Sequence, residues 1–128
     1  MSFFDLLEAR AKTTLLCVGL DPRTKTAADA RDQCISLIKA TSAYTAAYKP
    51  NAAVFEICGQ EGWNALQEVI AAVPKHMPVI LDAKRGDIAA TGDAYAASAF
   101  KHLKANAITA APYMGSDSVG PFLKDPSK

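Results

Sequence analysis

The sequence has 128 residues, half of them apolar, and 14 Lys and Arg against 13 Asp and Glu, a net charge of +1. That supports one hydrophobic core, not two. Balanced charge without runs of like sign excludes nucleic acid as the main partner, and no apolar stretch approaches the roughly 20 residues of a membrane span.

In chain order, an opening helix runs from Ser2 to about Ala11, with Ser2-x-x-Asp5 as its cap. A buried strand follows over Thr14 to Leu20. Thr26-x-x-Asp29 caps the next helix, in which Cys34, Leu37, Ile38 and Thr41 share one face. A second strand is predicted over about Ala43 to Lys49. Trp63, Leu66, Val69, Ile70 and Val73 then form an apolar helical stripe that Pro74 stops. Val79 to Ala83 is a third strand, and Ala96, Ala99, Phe100 and Leu103 mark the helix behind it. A fourth strand, Ala107 to Ala111, precedes a helix start near Ser116. All these stripes read as packing surfaces. Strand starts recur about every 30 residues, the length of a βα unit, which predicts a parallel sheet covered by helices with right-handed crossovers. No linker or composition shift divides the chain.

The first residues carry acids and no basic region, unlike a signal or transit peptide, so the expected location is cytoplasmic. Cys17, Cys34 and Cys58 are odd in number and lack a C-x-x-C pair. They read as small buried hydrophobes in a reducing compartment, and no metal site is expected.

Ligands of parallel α/β folds meet the carboxyl ends of the strands. Here those ends read Gly19-Leu20-Asp21-Pro22-Arg23, Tyr48-Lys49-Pro50-Asn51, Asp82-Ala83-Lys84-Arg85-Gly86-Asp87 and Ala111-Pro112-Tyr113-Met114-Gly115. The third is the most specific. Strand alternation puts Ile80, Asp82 and Lys84 on one face, so a carboxylate and an ammonium leave the same side two residues apart. Charges beside a buried strand are expected to pair, with Lys49 and Asp87 as the available neighbours. Gly86 would allow a sharp turn, and Asp87 would serve as an acceptor at the start of the third helix. A purely structural ion-pair ladder with a helix cap is the competing reading of these residues.

Together with Leu16-Cys17-Val18-Gly19-Leu20-Asp21-Pro22-Arg23 and Phe55-Glu56, these segments resemble orotidine 5′-phosphate decarboxylase, in order and at similar spacing. The resemblance runs from about residue 2 to 123, and Asp82-x-Lys84-x-x-Asp87 is its most diagnostic element. It implies a (β/α)8 TIM barrel that decarboxylates orotidine 5′-monophosphate to uridine 5′-monophosphate in pyrimidine biosynthesis, with no cofactor and no metal. By position, Lys84 matches the lysine that protonates the pyrimidine C6 and Asp82 the acid beside the departing carboxylate. Lys49 matches the lysine that holds this acid and the ribose. Asp87 matches an acid donated into the partner subunit's site, Asp21 a ribose-hydroxyl acceptor and Thr91 a residue reaching the ribose across the dimer interface; Ile88 is counted with the substrate-binding residues. The resemblance therefore also implies a homodimer with shared sites.

Such a barrel needs eight strands and about 250 residues. Residues 1–128 are thus expected to be the N-terminal half of a single barrel domain within a longer enzyme, which in some organisms is fused as a uridine monophosphate synthase. Two alternatives stay open. One is a sugar-phosphate decarboxylase or hexulose-phosphate synthase of the same superfamily, typically magnesium-dependent; the other is a catalytically incompetent half-barrel.

Overall fold

The computed structural model describes residues 1–128. Helix α1 (Phe3–Ala11) leads into β1 (Cys17–Leu20), α2 (Ala27–Thr41), β2 (Ala47–Pro50), α3 (Ala52–Glu56), α4 (Gly59–Ala72), β3 (Ile80–Arg85), α5 (Ala89–Ala97), β4 (Ala107–Ala110) and α6 (Ser116–Val119). The expected alternation is present. Strands β1 and β2 pair in parallel from Cys17 opposite Ala47 to Leu20 opposite Pro50, and β3 pairs in parallel with β4. Parallel bridges at Tyr48–Val79 and Asn51–Asp82 join β2 to β3, giving the spatial order β1-β2-β3-β4.

Both anticipated helix caps form because they need only local geometry. Ser2 Oγ accepts the Asp5 N–H at 3.2 Å while Asp5 Oδ2 accepts the Ser2 N–H at 2.8 Å, a reciprocal capping box. Thr26 Oγ1 accepts the Asp29 N–H at 3.1 Å and caps α2.

The core lies between the helices and one face of the sheet. Leu20, Tyr48, Val79 and Leu81 supply the strand side; Cys34 and Ile38 of α2 and Leu66, Val69 and Ile70 of α4 supply the helix side. Leu20, Tyr48, Leu66 and Val69 are fully buried, each side chain contributing about 1.5–3 kcal/mol through lost apolar exposure. Gly62 lets α3 and α4 touch, since a Cβ there would overlap the Phe55 carbonyl oxygen.

Four expectations need correction. Ser42–Tyr44 forms a 3-10 turn rather than the start of β2. The turn is held from both sides: Thr45 Oγ1 donates to the Thr41 carbonyl at 2.9 Å, and the Arg10 guanidinium donates to the Thr45 carbonyl at 2.7 and 3.0 Å. Leu37 and Trp63 sit at the margins of their stripes, each 37% exposed. Cys34 alone of the cysteines is buried, its thiol pushed up to about 11 by desolvation with Asp21 adding to the effect, whereas Cys17 is exposed and Cys58 half-buried. Finally, the first strand begins at Cys17 rather than at Thr14. The short α3 had no counterpart in the sequence reading; Asn51 Oδ1 caps it by accepting the Ala53 N–H at 3.2 Å.

Helix α1 is tied to two distant parts of the chain. Besides its grip on Thr45, Arg10 donates to the Ser42 carbonyl at 3.3 Å; at the other end of α1, the Phe3 N–H donates to the Ser127 carbonyl at 2.8 Å.

Candidate active site

Asp82 on β3 is the centre of a charge cluster at the carboxyl ends of the strands. Its side chain is only 11% exposed, which for an unpaired carboxylate would cost several kcal/mol. It is fully paired instead. Lys49 Nζ, from the end of β2, donates to Asp82 Oδ2 at 2.7 Å, and Lys84 Nζ donates to Oδ1 at 2.5 Å. The Thr109 hydroxyl, from β4, donates to Oδ1 at 3.0 Å. These bonds, Lys49 first, then Lys84 and Thr109, hold the Asp82 carboxyl well below the usual carboxylate range against the opposing effect of burial. The Lys49 ammonium is raised in turn, chiefly by its bond to Asp82.

Lys84 does not continue a regular strand. Leu81 faces Ile108 and Arg85 faces Ala110, so four steps along β3 answer two along β4. This bulge re-aims side chains, a recurrent device near sites. Lys84 itself takes a left-handed conformation at φ 49°, which costs a non-glycine residue about 1–2 kcal/mol. The Ala83 and Lys84 N–H groups, turned away from the regular ladder, both donate to Thr109 Oγ1, at 3.1 and 3.0 Å. The Lys84 side chain is 70% exposed while its ammonium reaches back to Asp82, leaving it accessible from the sheet's rim.

Gly86 is needed for a different reason from the sharp turn expected of it. Its φ is not left-handed, but a Cβ there would overlap the Ala111 carbonyl oxygen, which approaches as the Ala111 N–H bonds to the Arg85 carbonyl at 2.8 Å. Arg85 pairs with Glu56 at the end of α3 and stacks 5.3 Å from the Tyr95 ring centroid on α5, tying the segment after β3 to two helices.

The remaining sequence-predicted residues sit apart from Asp82. Asp21 accepts from Asn51 Nδ2 at 2.9 Å, which links the end of β1 to the end of β2. Asp87 forms no ion pair, contrary to expectation. Its Oδ1 accepts the N–H of the adjacent Ile88 at 2.8 Å, and Ile88, not Asp87, occupies the cap position of α5. The bulge and the turn after it carry Asp87 past Lys84. Ile88 is 56% exposed, and Thr91, in the first turn of α5, is exposed too.

Sequence reading missed Thr109, Asn51 and Arg85 as contributors. Arg85 and Asn51 lay inside quoted motifs and were legible as polar residues flanking the charged positions. Thr109 carried no signal, being a single hydroxyl in an apolar strand.

A sequence model described as the orotidine 5′-phosphate decarboxylase / HUMPS family matches residues 14–128. The chain belongs to this family. The orotidine 5′-phosphate decarboxylase of Herpetosiphon aurantiacus is 46% identical over 128 residues, an alignment spanning 94% of this chain and 48% of the relative. That of Roseiflexus castenholzii is 43% identical, spanning 97% of this chain and 49% of its own. The structure of Leishmania donovani OMP decarboxylase superposes with a TM-score of 0.98 at 70% identity, over all of this chain and 51% of that one. L. donovani UMP synthase superposes with the same score and identity over 29% of its length. The chain therefore spans about half the length of the curated decarboxylases it matches, and its four βα units are the N-terminal half of the family's (β/α)8 TIM barrel.

Proposed function

We propose that the full chain is an orotidine 5′-phosphate decarboxylase, acting without cofactor, and that residues 1–128 supply the first half of its single barrel domain together with the proton donor. The Lys49–Asp82–Lys84 array carries this reading. Decarboxylation at C6 breaks the bond to the carboxylate carbon and leaves its electron pair localised on a ring carbon with no electron sink. The site must stabilise that charge electrostatically and then protonate it. Lys84, an exposed ammonium paired with Asp82 on a backbone pinned by the bulge, can do both: it faces the forming carbanion, then transfers a proton to make the C6–H bond as carbon dioxide leaves. Its neutral amine recovers a proton from solvent.

Asp82, kept ionised by its three partners, lies beside the position of the substrate carboxylate. Repulsion between the two anions raises the ground state and vanishes when carbon dioxide departs, so it favours the transition state. Both Asp82 oxygens are engaged by cations or hydroxyl, which fits a metal-free charge array better than the magnesium-dependent sugar-phosphate chemistry of the HUMPS branch. Asp21, with Asn51, is suited to accept ribose hydroxyls at the same rim.

The enzyme works as a homodimer in this reading. Asp87, Ile88 and Thr91, exposed or half-buried and outside the Asp82 cluster, serve the neighbouring site rather than their own. A cytoplasmic location is part of the proposal.

The test is turnover of orotidine 5′-monophosphate by the full chain and by its Lys84→Ala variant. Unimpaired activity after chelation and abolished decarboxylation in a folded Lys84→Ala protein are expected. Near-native turnover by Lys84→Ala, or loss of activity on chelation, overturns the reading.

A further inference from the structure

We propose that Thr109 is a positioning residue for the decarboxylating array, its hydroxyl setting the orientation of Asp82 and the backbone at Lys84 together. This inference rests on the function proposed above. A threonine hydroxyl has one hydrogen to give and two lone pairs to receive, and Thr109 uses all three. It accepts the N–H groups of Ala83 at 3.1 Å and Lys84 at 3.0 Å and donates to Asp82 Oδ1 at 3.0 Å. With both lone pairs occupied by the bulge, the hydrogen is directed to the carboxylate.

Two consequences follow from that bonding. First, the Asp82 carboxylate has three anchors: Lys49 on Oδ2, Lys84 and Thr109 on Oδ1. Lys49 and Lys84 are long and flexible; Thr109 is the short one, built on a neighbouring strand, so it resists rotation of the carboxylate when the substrate's own carboxylate arrives. Second, the left-handed turn at Lys84 takes two N–H groups out of the β3–β4 ladder, and Thr109 supplies their acceptor. One atom thereby couples the acid to the backbone that carries the proton donor. Asp21, just past the end of β1, and Cys17 on β1 act on Lys49.

The experiment compares Thr109→Val, which keeps the shape and removes the hydroxyl, with Thr109→Ser, which keeps the hydroxyl, in the full chain. Thr109→Val is expected to lose about tenfold to hundredfold in kcat with KM changed less than about threefold, the signature of displaced reacting groups rather than lost binding. Thr109→Ser should restore kcat to within about threefold of the parent. Should the valine variant fold poorly, Thr109→Ala against Thr109→Ser makes the same hydroxyl comparison. A hydroxyl-free variant with parental kcat, or a serine variant as impaired as the alanine one, overturns the proposal. Amide hydrogen exchange at Ala83 and Lys84 gives a readout independent of activity: protection should fall without the hydroxyl and persist with serine. Parental protein that exchanges as expected yet leaves orotidylate unconverted refutes the decarboxylase reading while the clamp itself stands; unchanged exchange in the hydroxyl-free variants refutes the clamp.

Discussion

Replacing Lys49 by Met tests the electrostatics of the site most directly. Methionine keeps the apolar stem and removes the charge that holds Asp82 Oδ2 at 2.7 Å. At that distance the attraction is about 6 kcal/mol for an effective dielectric of about 20 and about 1.5 kcal/mol in bulk water. Asp82 is 11% and Lys49 34% exposed, which puts the pair between those limits. Desolvation of Lys49 offsets part of the gain, while Asp82 keeps Lys84 and Thr109. The net loss of stability at neutral pH should be about 3 kcal/mol, the low end for breaking a buried pair. The sign of its pH dependence follows from the lowered pKa of Asp82. A carboxyl depressed in the folded state stabilises above its unfolded value, here 3.8, and that stabilisation is lost as pH falls toward the folded value. Without Lys49 the folded value moves back up toward 3.8, so the deficit of Lys49→Met should be complete at pH 7 and should narrow only as pH falls through the variant's own, still depressed, folded value. Urea unfolding of parent and variant at about pH 7 and about pH 2.5 measures it, with the m-value unchanged. A neutral-pH deficit under about 1 kcal/mol, or one that grows as pH falls, would refute the reasoning.

Two further outcomes are expected. Gly86→Ala forces a methyl against the Ala111 carbonyl oxygen and should lower stability by about 1–3 kcal/mol in urea unfolding, as overpacking does; a change within about 0.5 kcal/mol would mean that the turn yields freely. Mixing inactive Lys84→Ala and Asp87→Ala chains should recover part of the orotidylate turnover when subunits exchange, because one site of the mixed dimer regains both groups. Mixed dimers shown to form yet wholly inactive would rule out a shared site.

Legibility in the sequence tracked the range of the interactions. The Ser2 and Thr26 caps and the β3 motif were readable because spacing alone brings their groups together. The pairing of Asp82 with Lys49 needed only that β2 and β3 be neighbours in a parallel sheet, which the regular βα alternation supplies. Asp87 was misjudged because simple alternation ignores the two residues that β3 gains over β4, and that excess depends on a strand in another unit. Thr109 was invisible for the same reason: its three bonds exist only once the bulge lies opposite it. Ala43 and Tyr44 look extended by composition, yet Arg10, over 30 positions earlier, and the last turn of α2, both bonded to Thr45, hold them in a tight turn.

Helix α1 works as a strap between distant parts of the chain. Arg10 holds the carbonyls of Ser42 and Thr45, just ahead of β2, while the Phe3 N–H holds the carbonyl of Ser127. The entry to the strand that carries Lys49 and the last residues of the sequence therefore share one support, and loosening α1 releases both.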